Sequence, residues 1–99
     1  MPVRLVVTTY AKPGKGTALA QAMADRCRAA QQEPGCQQFE VFQSALDPDK
    51  LVVLELWADQ AALDVHAQVN ASQPPNALIA ALRADDVRPR EDYVYNRTR

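Results

Sequence analysis

Apolar and β-branched residues run through Val3-Arg4-Leu5-Val6-Val7-Thr8-Thr9-Tyr10-Ala11 and stop at Lys12-Pro13-Gly14, which predicts a first strand over 3–11 closed by a turn. From Gly16 to Gln32 the chain is rich in Ala, Gln, Arg and Met. Leu19, Met23, Cys27 and Ala30 recur there at spacings of four, four and three, the stripe of a helix with one buried face. Glu33-Pro34-Gly35 ends that helix, since proline disfavours α geometry in the residue before it and glycine lets the chain reverse. A strand then begins near Cys36 and includes Phe39-Glu40-Val41-Phe42. The polar turn Leu46-Asp47-Pro48-Asp49-Lys50 leads into Leu51-Val52-Val53-Leu54-Glu55-Leu56-Trp57, so the two runs form an antiparallel hairpin. The second run is almost unbroken in apolar residues, as in a strand covered on both faces, and its one charge, Glu55, needs a partner if buried. Asp59 is placed to cap a helix over 61–69, Pro74-Pro75 to open a short helix over 76–82, and Asp85-Asp86 to mark its end. Asp92-Tyr93-Val94-Tyr95-Asn96 alternates like a last strand.

The resulting order, β-α-β-β-α-β with the second helical region split, predicts a ferredoxin-like α+β fold: a four-stranded antiparallel sheet with helices on one face. Residues 1–99 are expected to form a single domain, with no repeat or linker inside it. A domain of this size buries only about 60–65% of its unfolded surface. No element remains to cover the other face of the sheet, so a homodimer packing sheet against sheet is expected.

Composition narrows the partners. Eleven Lys and Arg against twelve Asp and Glu give a net charge of -1, too balanced for nucleic-acid or membrane-surface binding. The arginines at 83, 88, 90, 97 and 99 are interleaved with Asp85, Asp86, Glu91 and Asp92, which describes a solvated surface and not a phosphate patch. The N-terminal residues have no leader pattern, and no apolar run approaches the roughly 20 residues that span a bilayer, so a cytoplasmic protein is expected. Cys27 and Cys36 are nine apart and form no CxxC pair, and His66 is the single histidine. Neither a disulfide framework nor a histidine-based metal site is indicated, and no cofactor is expected.

On a helical wheel at roughly 100° per residue, Ala62, Leu63, Val65 and Val69 form an apolar arc with His66 in its middle. An inward imidazole sheltered from water is suited to proton transfer; the structural alternative is a core histidine bonded to one acceptor. Glu55 and Trp57 share one face of their strand, where a carboxylate beside an indole can orient a planar ligand. Trp57 as plain core, with Glu55 paired to an Arg or Tyr, is the other reading. Arg4, Thr8 and Tyr10 share a face of the first strand, as do Tyr93 and Tyr95 of the last. Phenols lining a cavity can hold the oxygens of a polyphenol or quinone, though tyrosines at such positions also simply span core and solvent.

The ordered set Lys12-Pro13-Gly14, Glu33-Pro34-Gly35-Cys36, Phe39-Glu40-Val41-Phe42, Asp47-Pro48, Glu55-Leu56-Trp57, Ala62-Leu63 and His66 resembles the antibiotic biosynthesis monooxygenase family, over about Val3 to His66. The resemblance implies a ferredoxin-like dimer whose sheets form an α+β barrel, with a cavity between sheet and helices in each subunit. It also implies one of several activities, among them oxidation of polycyclic phenols or quinols by O2 without metal, flavin or haem, haem degradation, and isomerisation of small signalling sugars. On this resemblance His66, Glu55 and Tyr10 are the expected catalytic residues, and Trp57, Thr8, Phe39 and Tyr93 the expected substrate-binding ones. Where many relatives carry a Ser-Pro-His-Phe-like segment, this chain reads Asn70-Ala71-Ser72-Gln73-Pro74-Pro75-Asn76, a departure in a region that shapes the pocket. The leading expectation is a cofactor-independent monooxygenase acting on a quinol or polyphenol. The competitors are an isomerase or aldol-type enzyme for a small oxygenated metabolite, using His66 and Glu55 as acid and base, and a non-catalytic dimer that binds an aromatic ligand.

Overall fold

The computed structural model describes residues 2–74 and 76–84 together with the backbone of 92–96. The elements follow the predicted order: β1 (Val3–Tyr10), α1 (Gly16–Ala30), β2 (Cys36–Gln43), β3 (Lys50–Trp57), α2 (Gln60–Ser72), α3 (Ala77–Leu82) and β4 (Asp92–Asn96). The four strands form one sheet in the order β2-β3-β1-β4, antiparallel at every pairing, which is the ferredoxin-like arrangement.

Register decides which residues face the helices. β1 pairs with β3 so that Val3 opposes Trp57, Leu5 opposes Glu55, Val7 opposes Val53 and Thr9 opposes Leu51. Along β3 burial alternates strictly, with Leu51, Val53, Glu55 and Trp57 buried and Val52, Leu54 and Leu56 only partly so. The run thus has one face covered by this chain; on the second face Val6, Val52, Leu54 and Leu56 stand among Arg4, Thr8, Gln38 and Glu40, with Arg4 donating to Gln38 and Gln38 to Glu40.

On the covered face the core gathers Ala11, Leu19, Ala22, Leu51 and Ile79, with Met23, Val41 and Leu82 packed around it. α1 lies against β2 and α3. Its N-terminus has no cap from its own Lys15; Asp49, in the β2–β3 turn, accepts from the backbone N–H groups of Gly14 and Gly16, each at 3.0 Å. Gly16 fits there because a Cβ would stand 1.8 Å from the Pro48 carbonyl oxygen.

α2 is capped as predicted, the Asp59 carboxylate accepting from the Ala62 N–H at 2.8 Å. Its apolar arc is its inward arc except at Val65. Ala62, Leu63 and His66 turn toward the protein, whereas Val65 is 53% exposed and no residue of the helix is fully buried. α3 begins at Ala77 behind Asn76, whose side chain accepts from the Ile79 N–H at 3.0 Å, so asparagine and not proline opens it. The Asp85-Asp86 pair lies outside the described residues.

Candidate functional site

Three elements bring the chemistry together. The turn after α1 ends in Gly35 at φ +80°, a conformation glycine adopts without strain, and a Cβ there would stand 2.5 Å from that of Ala62 on α2. The Gly35 carbonyl accepts from the Ala58 N–H at 2.8 Å. This close approach sets Glu33, two residues before the glycine, beside His66 on α2. Nδ1 of His66 lies 3.0 and 3.1 Å from the two carboxylate oxygens of Glu33.

The imidazole ring lies over Trp57, with centroids 4.7 Å apart and planes 33° from parallel, and is 5.4 Å from the ring of Phe39. Trp57 in turn meets Phe39 edge-on at 6.3 Å. The indole Nε1–H of Trp57 donates to Oε1 of Glu55 at 3.0 Å, so the buried carboxylate on β3 has its partner two residues along the same face.

A cavity of about 200 Å³ opens between the covered face of the sheet and the helices. Val7, Phe39, Val53 and Ile79 supply apolar wall; Glu33, Glu55 and His66 supply titratable groups; Arg26, Asn70, Gln73 and Arg83 supply further polar ones. Cys27 also borders it, its thiol pushed upward by burial and then by the charge of Glu55. The Cys36 thiol is raised by burial and by Glu33. Both cysteines are free thiols, and among the described residues no group of three or more His, Cys, Asp or Glu is placed to hold a metal ion.

Of the seven predicted site residues, His66, Glu55 and Phe39 meet at this cavity. Trp57 is one layer deeper: it has no exposed surface and does not line the cavity, because Phe39 and His66 cover it. The indole therefore supports the imidazole and the Glu55 carboxylate and cannot itself stack on a ligand in this cavity. Thr8 and Tyr10 are on the opposite face. Their register partners are Val52 and Lys50, which alternate with the buried residues of β3, so the period of two in the strand carries both away from His66. Tyr93 pairs with Val6 through the backbone, and its side chain lies outside the described residues.

Glu33 is the site residue that sequence reasoning missed. It stands in a turn, where its identity reads as a helix stop, and its partner is 33 residues further on. The available signal was the joint presence of the Glu-Pro-Gly turn and the histidine in one motif set.

Residues 2–73 match the model of the antibiotic biosynthesis monooxygenase family. Solved structures with the same fold include a Pseudomonas aeruginosa protein, 24% identical with a TM-score of 0.74 over 99% of this chain and 95% of that one. A conserved Methanosarcina mazei protein is 22% identical with a TM-score of 0.79, over 99% and 94%. A Nitrosomonas europaea protein named for the same family is 22% identical with a TM-score of 0.72, over 95% and 88%. At these identities the likeness is one of fold. No curated protein matches the chain.

Proposed function

The chain belongs to the antibiotic biosynthesis monooxygenase family, and we propose that it acts as a cofactor-independent monooxygenase that oxidises a quinol or other hydroxylated aromatic with O2. One observation carries this reading: the imidazole bordering the cavity has its Nδ1 held by a carboxylate and its face held by an indole. A carboxylate accepts, so Nδ1 of His66 is the donor, and the neutral ring then has Nε2 as an acceptor. Glu33 both fixes that tautomer and stabilises the imidazolium that forms when Nε2 takes a proton.

The chemistry requires little else from the protein. A phenol or quinol that has lost its proton to His66 is electron-rich enough to pass one electron to O2, and the apolar wall of Val7, Phe39 and Val53 holds the radical pair while it recombines. In the balanced reaction one oxygen atom enters the ring and the other leaves as water. A quinol with an open ring position becomes a hydroxyquinone, so the substrate supplies all four electrons and no external reductant enters. In this reading Glu55, which accepts from the Trp57 indole and lines the cavity, orients a second hydroxyl.

The same pair, His66 and Glu55 at one cavity, also serves the isomerase reading as base and acid. Oxygen uptake separates the two. Protein treated with chelator and given a panel of hydroquinones and naphthoquinols is expected to consume O2 at a saturable rate above autoxidation. A rate equal to autoxidation across the panel removes the oxygenase reading.

We further propose a cytoplasmic homodimer. Among the described residues no helix is long and apolar enough to cross a membrane. On the second face of the sheet Val6, Val52, Leu54 and Leu56, bordered by Phe42 at 46% exposure, stand beside the polar row Arg4, Gln38 and Glu40, a mixed surface that a second copy would cover.

A further inference from the structure

Two depressions meet between α1 and α2. The cavity and a wider, more open one of about 690 Å³ share the exposed side chains Arg26, Asn70 and Gln73, which stand at the threshold where the two join. On the inner side both carboxylates are engaged, Glu33 with His66 and Glu55 with Trp57. At the threshold the Arg26 guanidinium donates to the side-chain oxygen of Asn70, a neutral acceptor. Among the described residues no carboxylate forms an ion pair with Arg26, in contrast to Arg28 on the same helix, which meets Asp25. Arg83 brings a second guanidinium to the cavity wall.

We propose that this threshold selects substrates carrying an anionic group, specifically hydroxyarene carboxylates, with the carboxylate taking the place of Asn70 as acceptor for Arg26. The exchange is favourable because a guanidinium binds a carboxylate through charge-assisted, bidentate hydrogen bonds that an amide oxygen cannot match. Size points the same way. A cavity of about 200 Å³ is smaller than the roughly 300–1,000 Å³ typical of pockets for drug-sized ligands, so one or two rings fill it and a substituent must lie at the mouth. The ring then rests against Phe39 and Val53, and the hydroxyl points inward to His66 and Glu55. This deepens the monooxygenase reading and rests on it for the fate of that hydroxyl.

Binding without turnover tests it. Calorimetry under nitrogen compares 6-hydroxy-2-naphthoate with its neutral methyl ester, on the wild type, Arg26→Gln and Arg26→Lys. The carboxylate is expected to bind about tenfold tighter than the ester to the wild type. That ratio should fall to near one in Arg26→Gln and be partly kept in Arg26→Lys; taking it within each variant cancels any general loss of fold. Equal binding of the two, binding of neither, or a ratio that survives Arg26→Gln overturns the proposal. Failure of the oxygenase reading shows differently, as a preserved binding ratio with no O2 uptake once air is admitted.

Discussion

The imidazole of His66 and the carboxylate of Glu33, 33 residues apart in the chain, meet at 3.0 and 3.1 Å, with both side chains at least three-quarters shielded from solvent. The contact ties the turn after α1 to the middle of α2, a helix with no fully buried residue of its own. It is at once a structural clasp and the feature that gives the histidine a defined tautomer.

Replacing Glu33 with Gln keeps the size of the side chain and removes its charge. Nδ1 of His66 then faces an amide, and the imidazolium formed during proton transfer loses its counter-charge. Turnover is expected to fall about 10- to 100-fold with the Kd for substrate changed far less. A drop in affinity equal to the drop in rate would make Glu33 a binding residue instead.

Gly35→Ala tests the close approach that builds the site. The substitution forces a side chain onto a backbone at φ +80° and sets its Cβ 2.5 Å from Ala62. Strain and overlap together are expected to cost about 2–4 kcal/mol in chemical denaturation, with turnover lost from whatever remains folded. Gly14→Ala, also at positive φ but with open space around the added Cβ, should cost only the strain, about 1 kcal/mol.

Much of this architecture was legible in the sequence, and the misses have physical causes. The helix stripe of α1, the turn at Glu33-Pro34-Gly35 and the Asp59 cap are local signals, and each element appears within a few residues of its predicted span. Glu55 and Trp57 were correctly placed on one face because a strand's period is two. The same period could not say which face of β1 meets the helices. Val3, Leu5 and Val7 on one side and Val6 on the other are all apolar, and only the pairing of Thr9 with Leu51 puts Thr8 and Tyr10 outside. Depth was equally hidden: nothing local tells an indole on the cavity wall from one beneath it. The Glu33 contact depends on how a turn and a helix dock, which no periodicity encodes.

Thr8→Val is accordingly expected to leave ligand affinity at the cavity within about twofold of wild type, measured by calorimetry with the hydroxynaphthoate. A tenfold change would place the cavity's working face on the wrong side of the sheet.

The open sheet face makes its own prediction. Sedimentation should show a dimer for the wild type, and Leu54→Asp, which puts a charge among Val6, Val52 and Leu56, should give a folded monomer. A monomeric wild type would contradict the dimer.

Alkaline stability follows from the thiols. Burial raises the pKa of Cys27 and Cys36 in the folded protein above the ordinary thiol value of about 8.5. Below that value both states hold the proton and the thiols contribute no pH dependence. Above it the unfolded chain binds fewer protons than the folded one, so stability falls as pH rises toward the folded values. Melting temperature is expected to decline above about pH 8.5, and less steeply in Cys27→Ala; an identical slope in the variant would contradict this.

The most direct measurement is O2 uptake by chelator-treated protein with a naphthoquinol, comparing wild type, His66→Ala and Glu33→Gln after subtraction of autoxidation. The account predicts a saturable wild-type rate, a loss of about 10²- to 10⁴-fold in His66→Ala, and an intermediate rate in Glu33→Gln. A His66→Ala rate equal to that of the wild type would contradict it.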